Sequence, residues 1–351
     1  MSELPNLSDV KPEEQAADIG PNGEPEQEEE EQERPESPPA AAKPAPEPKP
    51  PRRLNLIGRR NWFFALSLLI IIPGIVSMAT RHFALGIDFA GGTEITVNFA
   101  ERPTLAKVQR AVDEEGINGS VIQTGGGGYI IRYPTLTAAQ VTGVQTDLKQ
   151  RLGPTNVQSI LVVGGTIAGE TITLSILAVV IASLAILLLL AVRFRNVPGG
   201  WRAGFQFGGS ALAALLHDVF VLTGIFSILG AVMHLRIGEI DAFFVTAVLT
   251  VVGFSVHDTI VVFDRIRENL RVSQRLSFEQ VVNLSIMQTA ARSIITSFTV
   301  VLVLSAILIA GGSTLQGLAL ALLIGIVSGT YSSIFNAAPL LVVWRRVQPL
   351  R

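Results

Sequence analysis

The 351-residue sequence contains no cysteine and only four histidines. The first absence excludes a disulfide framework, a zinc–thiolate site, an iron–sulfur cluster and a cysteine nucleophile. The histidines form no H-E-x-x-H signature, so zinc-peptidase chemistry is excluded too, and neither a metal nor another cofactor is expected. Charge is scarce as well: 16% of residues are charged and 48% hydrophobic, against about 25% charged in a soluble domain. From residue 171 to the end only 19 side chains carry charge. That is too few for the surface of a soluble cytosolic enzyme.

What is present is unevenly divided. Residues 1–51 hold 14 acidic and 4 basic side chains and 12 of the 19 prolines. Such a stretch cannot bury enough apolar surface to offset its ordering entropy, so a disordered, acidic, proline-rich tail is expected over 1–53. Six apolar runs follow, at 62–79, 172–192, 203–229, 243–263, 294–310 and 317–343, each close to the ~20 residues that cross ~30 Å of hydrocarbon. They predict a multi-pass α-helical membrane protein with helix 1 in 54–80, a folded segment in 81–170, helices 2–6 in 171–344 and a short end at 345–351. Ser77-Met78-Ala79 resembles a signal-peptidase site, but more than fifty residues precede it, which predicts an uncleaved anchor. Fourteen arginines flank the runs in four places: 52, 53, 59 and 60; 193, 195 and 202; 265, 267, 271 and 275; 345, 346 and 351. The intervening connections between runs 3 and 4 and runs 5 and 6 hold only Arg236. The excess predicts cytoplasmic termini and an extracytoplasmic 81–170.

That outer segment alternates like a small α+β domain. Strands are predicted at 94–99, 121–123, 129–133 and 157–163, with Gly125–Gly128 as a hairpin turn. Helices are predicted at 105–115, capped by Thr104, and to 152 after the capping box of Thr137 and Gln140. The order βαββαβ is that of a ferredoxin-like module. With 7 basic and 8 acidic residues over 81–170, nothing marks it for nucleic acid.

Within the spans, Gly317, Ala321, Gly325 and Gly329 recur every four residues, as do Gly204 and Gly208, a spacing that lets helix backbones approach. Gly311-Gly312-Ser313 reads as a tight link between spans 5 and 6. Ser277 and Gln280 cap an amphipathic helix expected to lie on the headgroups before span 5. Ionisable groups in hydrocarbon cost about 2.5–3.5 kcal/mol each on insertion scales. Asp218, beside His217, and Asp258, beside His257, are therefore candidate functional groups. Arg292 falls at a depth comparable with Asp258, so an ion pair is expected, able to bind a proton when it opens and release it when it closes. Asp264, Arg265, Arg267 and Glu268 alternate in sign past span 4, and Asp258, Val261 and Arg265 share one helical face. Hydrolases are excluded: neither aspartate has the G-x-G-D of an intramembrane protease, Ser255 and His257 point to different faces, and Gly125–Gly128 lacks the G-K-[ST] of a nucleotide loop.

Four segments carry a more specific likeness: GIDFAGG at 86–92, SVHDTIVVFDRIREN at 255–269, ARSIITS at 291–297 and LLIGIVSGTYSSIF at 322–335. With six spans and one small outer domain, the chain resembles the SecF family, the smaller membrane subunits of the bacterial SecD–SecF translocation factor, within the resistance–nodulation–division superfamily. The resemblance implies an accessory to the Sec pathway, not an enzyme, that uses the proton motive force for late-stage export. It implies placement in the bacterial inner membrane, or in internal membranes of the host. Implied partners are SecD, the SecY, SecE and SecG channel, indirectly SecA, translocating polypeptides and the lipid bilayer. It puts Asp258 and Arg292 on the proton relay, with Asp218 and His257 beside them. Gly86, Asp88, Gly91 and Gly92 would form a hinge, and Asp264, Arg265, Arg267, Glu268 and Asn269 a coupling segment. Gly317, Gly325 and Gly329 would be packing positions. The family pattern has asparagine where His257 stands and a hydroxyl residue where Ala90 stands. The alternative, a proton-driven exporter of a small molecule or lipid, fits poorly with six spans and an outer domain of this size.

Overall fold

The computed structural model describes residues 54–349 apart from 125–126 and 273–274. The expected acidic tail and the first two glycines of the hairpin turn lie outside the described residues. Among the described residues six helical spans are long and apolar enough to cross a membrane: Ile57–Arg81, Gly165–Arg193, Gly200–Val232, Ala242–Val272, Phe278–Ala310 and Leu315–Val347. Their cores are helices α1 (Arg60–Arg81), α5 (Gly165–Arg193), α6 (Gly200–Ser227), α7 (Ala242–Val272), α8 (Phe278–Ala310) and, for the last span, α9 (Ser313–Ser332) followed by α10 (Ala338–Val347). A π-helical turn, Ser333–Ala337, joins α9 to α10.

Packing divides the spans into two sets. In α6, α7 and the α9–α10 span, 44%, 50% and 50% of the most apolar window is buried, against 17%, 11% and 17% in α1, α5 and α8. The first three form the centre and the others wrap it. Close approach depends on glycine where no side chain fits. At the α1–α6 crossing, a Cβ on Gly74 would lie 2.7 Å from the Gly224 Cα. At the α5–α6 crossing, a Cβ on Gly204 would overlap the Ala191 carbonyl, and one on Gly208 would lie 3.1 Å from Leu187.

Between α1 and α5 the chain forms a short helix α2 (Ile87–Ala90), then β1 (Gly92–Phe99), α3 (Leu105–Asp113), β2 (Ser120–Gln123), β3 (Tyr129–Tyr133), α4 (Ala138–Leu152) and β4 (Thr155–Val163). The sheet order is β2–β3–β1–β4 with every neighbouring pair antiparallel. Alternation along β1 turns Ile95, Val97 and Phe99 into a core with Val108 and Val112 of α3 and Val144, Leu148 and Leu152 of α4. The capping box of Thr137 and Gln140 is formed. Thr104 occupies the cap position of α3, but its hydroxyl makes no capping bond.

One expectation changes. The amphipathic segment after Ser277 is not a separate helix on the headgroups; it forms the first turns of α8, continuous to Ala310. Its apolar residues Val282 and Ile286 enter the main core of the bundle. An amphipathic pattern marks a buried face without saying whether lipid or protein covers it.

Candidate functional site

Asp258, on α7, is buried, and its carboxylate accepts two hydrogen bonds at 2.5 Å, from Ser293 Oγ of α8 and from Ser333 Oγ of the π-turn. The expected ion pair with Arg292 is not formed. Arg292 is exposed and has no ion pair among the described residues. The reason is angular: residues adjacent in an α-helix point about 100° apart, and in α8 it is Ser293 that faces inward. The same rule separates His257, which is exposed, from Asp258. Equal depth in the membrane did not mean a shared face.

Asp218 of α6 is completely buried and more heavily bonded. Oδ2 accepts from Ser255 Oγ of α7 at 2.7 Å and Ser332 Oγ of α9 at 2.6 Å; Oδ1 accepts from Ser328 Oγ of α9 at 2.7 Å and lies 3.0 Å from His217 Nδ1. Hydrogen bonds to a charged group are worth about 1.5–3 kcal/mol each, so this cage offsets much of the cost of removing a carboxylate from water. The two acidic sites share elements. Ser255 and Asp258 lie three apart on α7, and Ser332 and Ser333 are consecutive, each bonded to a different aspartate.

The glycine stripe explains how these groups meet. A Cβ on Gly329 would lie 3.1 Å from Ser255 Cβ, and one on Gly325 would overlap Val251. Their bare backbones let α9 approach α7 until Ser255 and Ser332 reach one carboxylate. Gly317 is not part of this seam, since only the Ile237 carbonyl lies within range, at 3.7 Å. The sequence marks none of these serines as a donor to a buried carboxylate. Ser328 and Ser332 carry the same four-residue spacing as Gly325 and Gly329, which was the available signal.

The 86–92 motif sits where the sheet meets α7. The Gly86 N–H donates to the Ile240 carbonyl and the Ile240 N–H to the Ala84 carbonyl, both at 2.8 Å. Asp88 Oδ2 accepts from the Ala242 N–H at 3.0 Å, capping the first residue of α7. Gly91 and Gly92 have φ of 70° and 122°, values that glycine adopts without strain. Arg132 of β3 forms a bidentate pair with Glu239, at 2.9 and 2.6 Å, and reaches Glu94 at 2.8 Å, while Arg236 lies 3.6 Å from Glu94. A cavity of about 460 Å³ beside this cluster is lined by Asp88, Glu94, Arg132, Arg236, Glu239 and Asp241. Burial pushes the Asp241 carboxyl above the ordinary aspartate value; the Phe244 N–H counters this, and the charges of Asp88 and Glu239 add to it. Burial opposes the Arg132 charge, but Glu239 and Glu94 outweigh it and hold Arg132 above the ordinary arginine value.

At the other end of α7, Asp264 pairs with Arg193 of α5 at 2.9 Å. Arg265 Nε donates to Gln288 Oε1 of α8 at 2.6 Å, and Asn269 donates to Ser285 and Gln288, both at 2.9 Å. Glu268 and Arg267 brace Arg265 and Asp264 from within α7, at 2.6 and 3.3 Å. The alternating charges tie three helix ends together. Among the described residues there is no cluster of acidic or histidine side chains suited to a metal ion.

Among the described residues, six apolar spans around two serine-caged carboxylates, with a small antiparallel sheet between the first two, define a multi-pass membrane protein. Residues 144–347 match the SecD/SecF C-terminal family of protein export membrane proteins, and residues 76–101 match the SecD/SecF GG motif. The chain is 44% identical over 311 residues to the protein translocase subunit SecF of Thermobaculum terrenum, covering 85% of this chain and 96% of that one. It is 41% identical over 296 residues to SecF of Anaerolinea thermophila, covering 83% and 94%. The crystal structure of SecDF, a translocon-associated membrane protein from Thermus thermophilus, superimposes with a TM-score of 0.73 at 31% identity. That match covers 84% of this chain and 39% of the longer SecDF chain. A second SecDF structure, in a super-membrane-facing form, gives a TM-score of 0.59 at 29% identity. The chain belongs to the SecF family of protein translocase subunits. Its relatives are translocase subunits, which does not favour the exporter alternative.

Proposed function

We propose that this chain pairs with a SecD subunit and uses the proton gradient to assist late-stage protein export across the bacterial inner membrane, beside the SecY, SecE and SecG channel and after SecA has begun transport. The observation that carries this reading is Asp258, a carboxylate buried at the centre of the bundle whose only hydrogen-bond donors among the described residues are hydroxyls on two other spans. An ionised carboxylate only accepts; a protonated one must also donate. Taking up a proton removes the charge that strengthens the Ser293 and Ser333 bonds and adds a donor beside two donating hydroxyls, so it weakens how α7 is held to α8 and to the last span. One charge crossing ~100 mV is worth ~2.3 kcal/mol, enough to bias an element whose states differ by a few kcal/mol.

Arg292, His257 and Asp218 complete the relay. The outward position of Arg292 supports a shared path, because an arginine facing lipid in a span is costly and a partner helix bearing an acidic group would compensate it. The arginine distribution supports cytoplasmic termini and an extracytoplasmic sheet. The element order and the strand order β2–β3–β1–β4 support a ferredoxin-like fold for that domain. Gly91 and Gly92 then form its hinge, Gly86 and Asp88 its attachment to α7, and the Asp264–Asn269 segment the coupling to the cytoplasmic helix ends. The test is Asp258→Asn in the assembled complex, measuring gradient-dependent export in vesicles. Loss of the gradient-dependent component is expected. Unchanged export in an assembled complex overturns the relay.

A further inference from the structure

We propose that the cavity between the open face of the sheet and the start of α7 holds a lysine or arginine side chain of an extended peptide. The proposal deepens the export reading above, on which it rests, by naming a place and a chemistry for holding an exported chain.

The sheet packs its helices on one face only. Ile95, Val97 and Ile131 turn toward α3 and α4, so Glu94, Thr96, Ile130 and Arg132, which alternate with them, turn the other way. That second face meets Asp241 and Phe243 at the start of α7 and Gln316 and Gly317 of α9 around the cavity of about 460 Å³. The volume falls within the range of small-ligand sites, about 300–1,000 Å³.

Charge decides what the cavity takes. Arg132 is bound to Glu239 and Glu94, and Arg236 reaches the second oxygen of Glu94, so these four side chains cancel. Asp88 and Asp241 remain. Neither forms a salt bridge among the described residues. Each gives one oxygen to a backbone N–H in the first turn of α7, those of Ala242 and Phe244. A helix N-terminus carries about half a positive charge, which leaves most of the charge on the two carboxylates uncompensated. Burial, Asp88 and Glu239 push the Asp241 carboxyl upward, and an arriving cation relieves that push.

The cation is organic. The described residues offer no set of side chains suited to a metal ion. Ile87, Ile237 and Phe243 border the cavity, apolar surface along which the stem of a lysine or arginine lies while its charged end reaches a polar partner. Gln158 and Gln316 also line it, and a carboxamide can both donate to and accept from a peptide group. Gly317, which takes no part in the seam between α7 and α9, keeps one wall bare: a Cβ there would meet only the Ile237 carbonyl, at 3.7 Å. The competing occupant is a lipid headgroup, its ammonium on the aspartates and its phosphate on Arg236, whose Nη1 has no hydrogen-bond partner among the described residues. The carboxamides favour the peptide.

The test is fluorescence anisotropy on the SecD-paired complex in nanodiscs of phosphatidylcholine, whose choline has no N–H to donate. The probes are a short labelled serine–threonine peptide with arginine at its centre and the same peptide with glutamine or glutamate there. The arginine peptide is expected to bind about tenfold tighter than the glutamine one, the lower end for hydrogen bonds to a charged group, and the glutamate peptide more weakly than both. Asp88→Asn combined with Asp241→Asn keeps an oxygen for each α7 N–H and should abolish the arginine preference. Gly317→Leu fills the cavity with both carboxylates in place and should abolish it too, which decides the matter where the double variant does not assemble. Equal binding of the arginine and glutamine peptides overturns the proposal, as does a preference that persists in either variant. If phosphatidylethanolamine in place of phosphatidylcholine removes the preference, the cavity holds a lipid headgroup and the peptide site is overturned. Binding is read without a gradient, so failure of the relay in Asp258→Asn and failure of this site are distinguishable.

Discussion

Gly325→Ala offers a direct measure of the seam on which the buried carboxylates depend. The added methyl would overlap Val251 Cγ2 and lie 2.8 Å from Cγ1 and 3.0 Å from Cβ, where ordinary contacts begin near 3.4 Å. Val251 is 1% exposed and β-branched, so it has neither space nor an alternative rotamer at low cost. Overpacking of this kind costs about 1–3 kcal/mol, while alanine gains about 0.8–1 kcal/mol over glycine in a helix. Gly317→Ala supplies the reference, because its nearest neighbour is the Ile237 carbonyl at 3.7 Å. The helix gain is common to both variants, so their difference isolates the steric cost, about 1–3 kcal/mol. The assay is the temperature at which the detergent-solubilised complex loses half its folded fraction. Gly317→Ala is expected at or above the parent and Gly325→Ala below it. Adding Val251→Ala to Gly325→Ala should restore part of the loss beyond additivity, by about 1 kcal/mol. Equal stability of the two glycine variants would refute the seam.

Two further outcomes concern the junction between sheet and spans. Arg132→Lys removes the fork that binds Glu239 in a bidentate manner, and hydrogen exchange at the amides of β3 is expected to accelerate, by roughly tenfold for the loss of one charged hydrogen bond of about 1.5 kcal/mol; unchanged exchange would show that the pair does not hold the sheet. Asp241 carries a raised value, so the folded state binds more protons than the unfolded chain just above the ordinary aspartate range, and its contribution to stability falls as pH rises through that window. Asp241→Asn keeps an oxygen for the Phe244 N–H and removes the charge, so a flatter stability profile from about pH 4 to 7 is expected, with neutral-pH stability equal to or above the parent. A steeper profile in thermal unfolding would contradict the burial argument.

The spans and the sheet were legible because their signals are periodic and local. Runs of about 20 apolar residues admit few structures other than a crossing helix. Alternation at 94–99 and 129–133, with a capping box at Thr137, sufficed to order strands and helices. The Ser277 box is equally legible, yet the helix it caps continues through α8 instead of lying on the headgroups, because covering material is a tertiary fact. Thr104 shows the reverse: a residue suited to capping stands at the cap position, and its hydroxyl goes unused there.

The polar centre was legible in its charges and not in their partners, for a physical reason. A charge in an apolar run announces itself by its cost, and depth along the run follows from counting residues. Azimuth does not: one residue of error rotates a side chain by about 100°, which is the whole difference between Arg292 and Ser293. Serine gives no such announcement, since its hydroxyl can return to the carbonyl one turn back at little cost, as Ser285 does with Val281. Only when Gly325 and Gly329 let α9 close on α7, beside Asp218 of α6, do Ser255, Ser328 and Ser332 acquire a common target. The stripe of small residues, read first as a packing device, is therefore also what assembles the donor set. A methyl added at Gly329 would press on Ser255 itself, one of the donors to Asp218, so at that position the stripe and the donor set are filled or disturbed together.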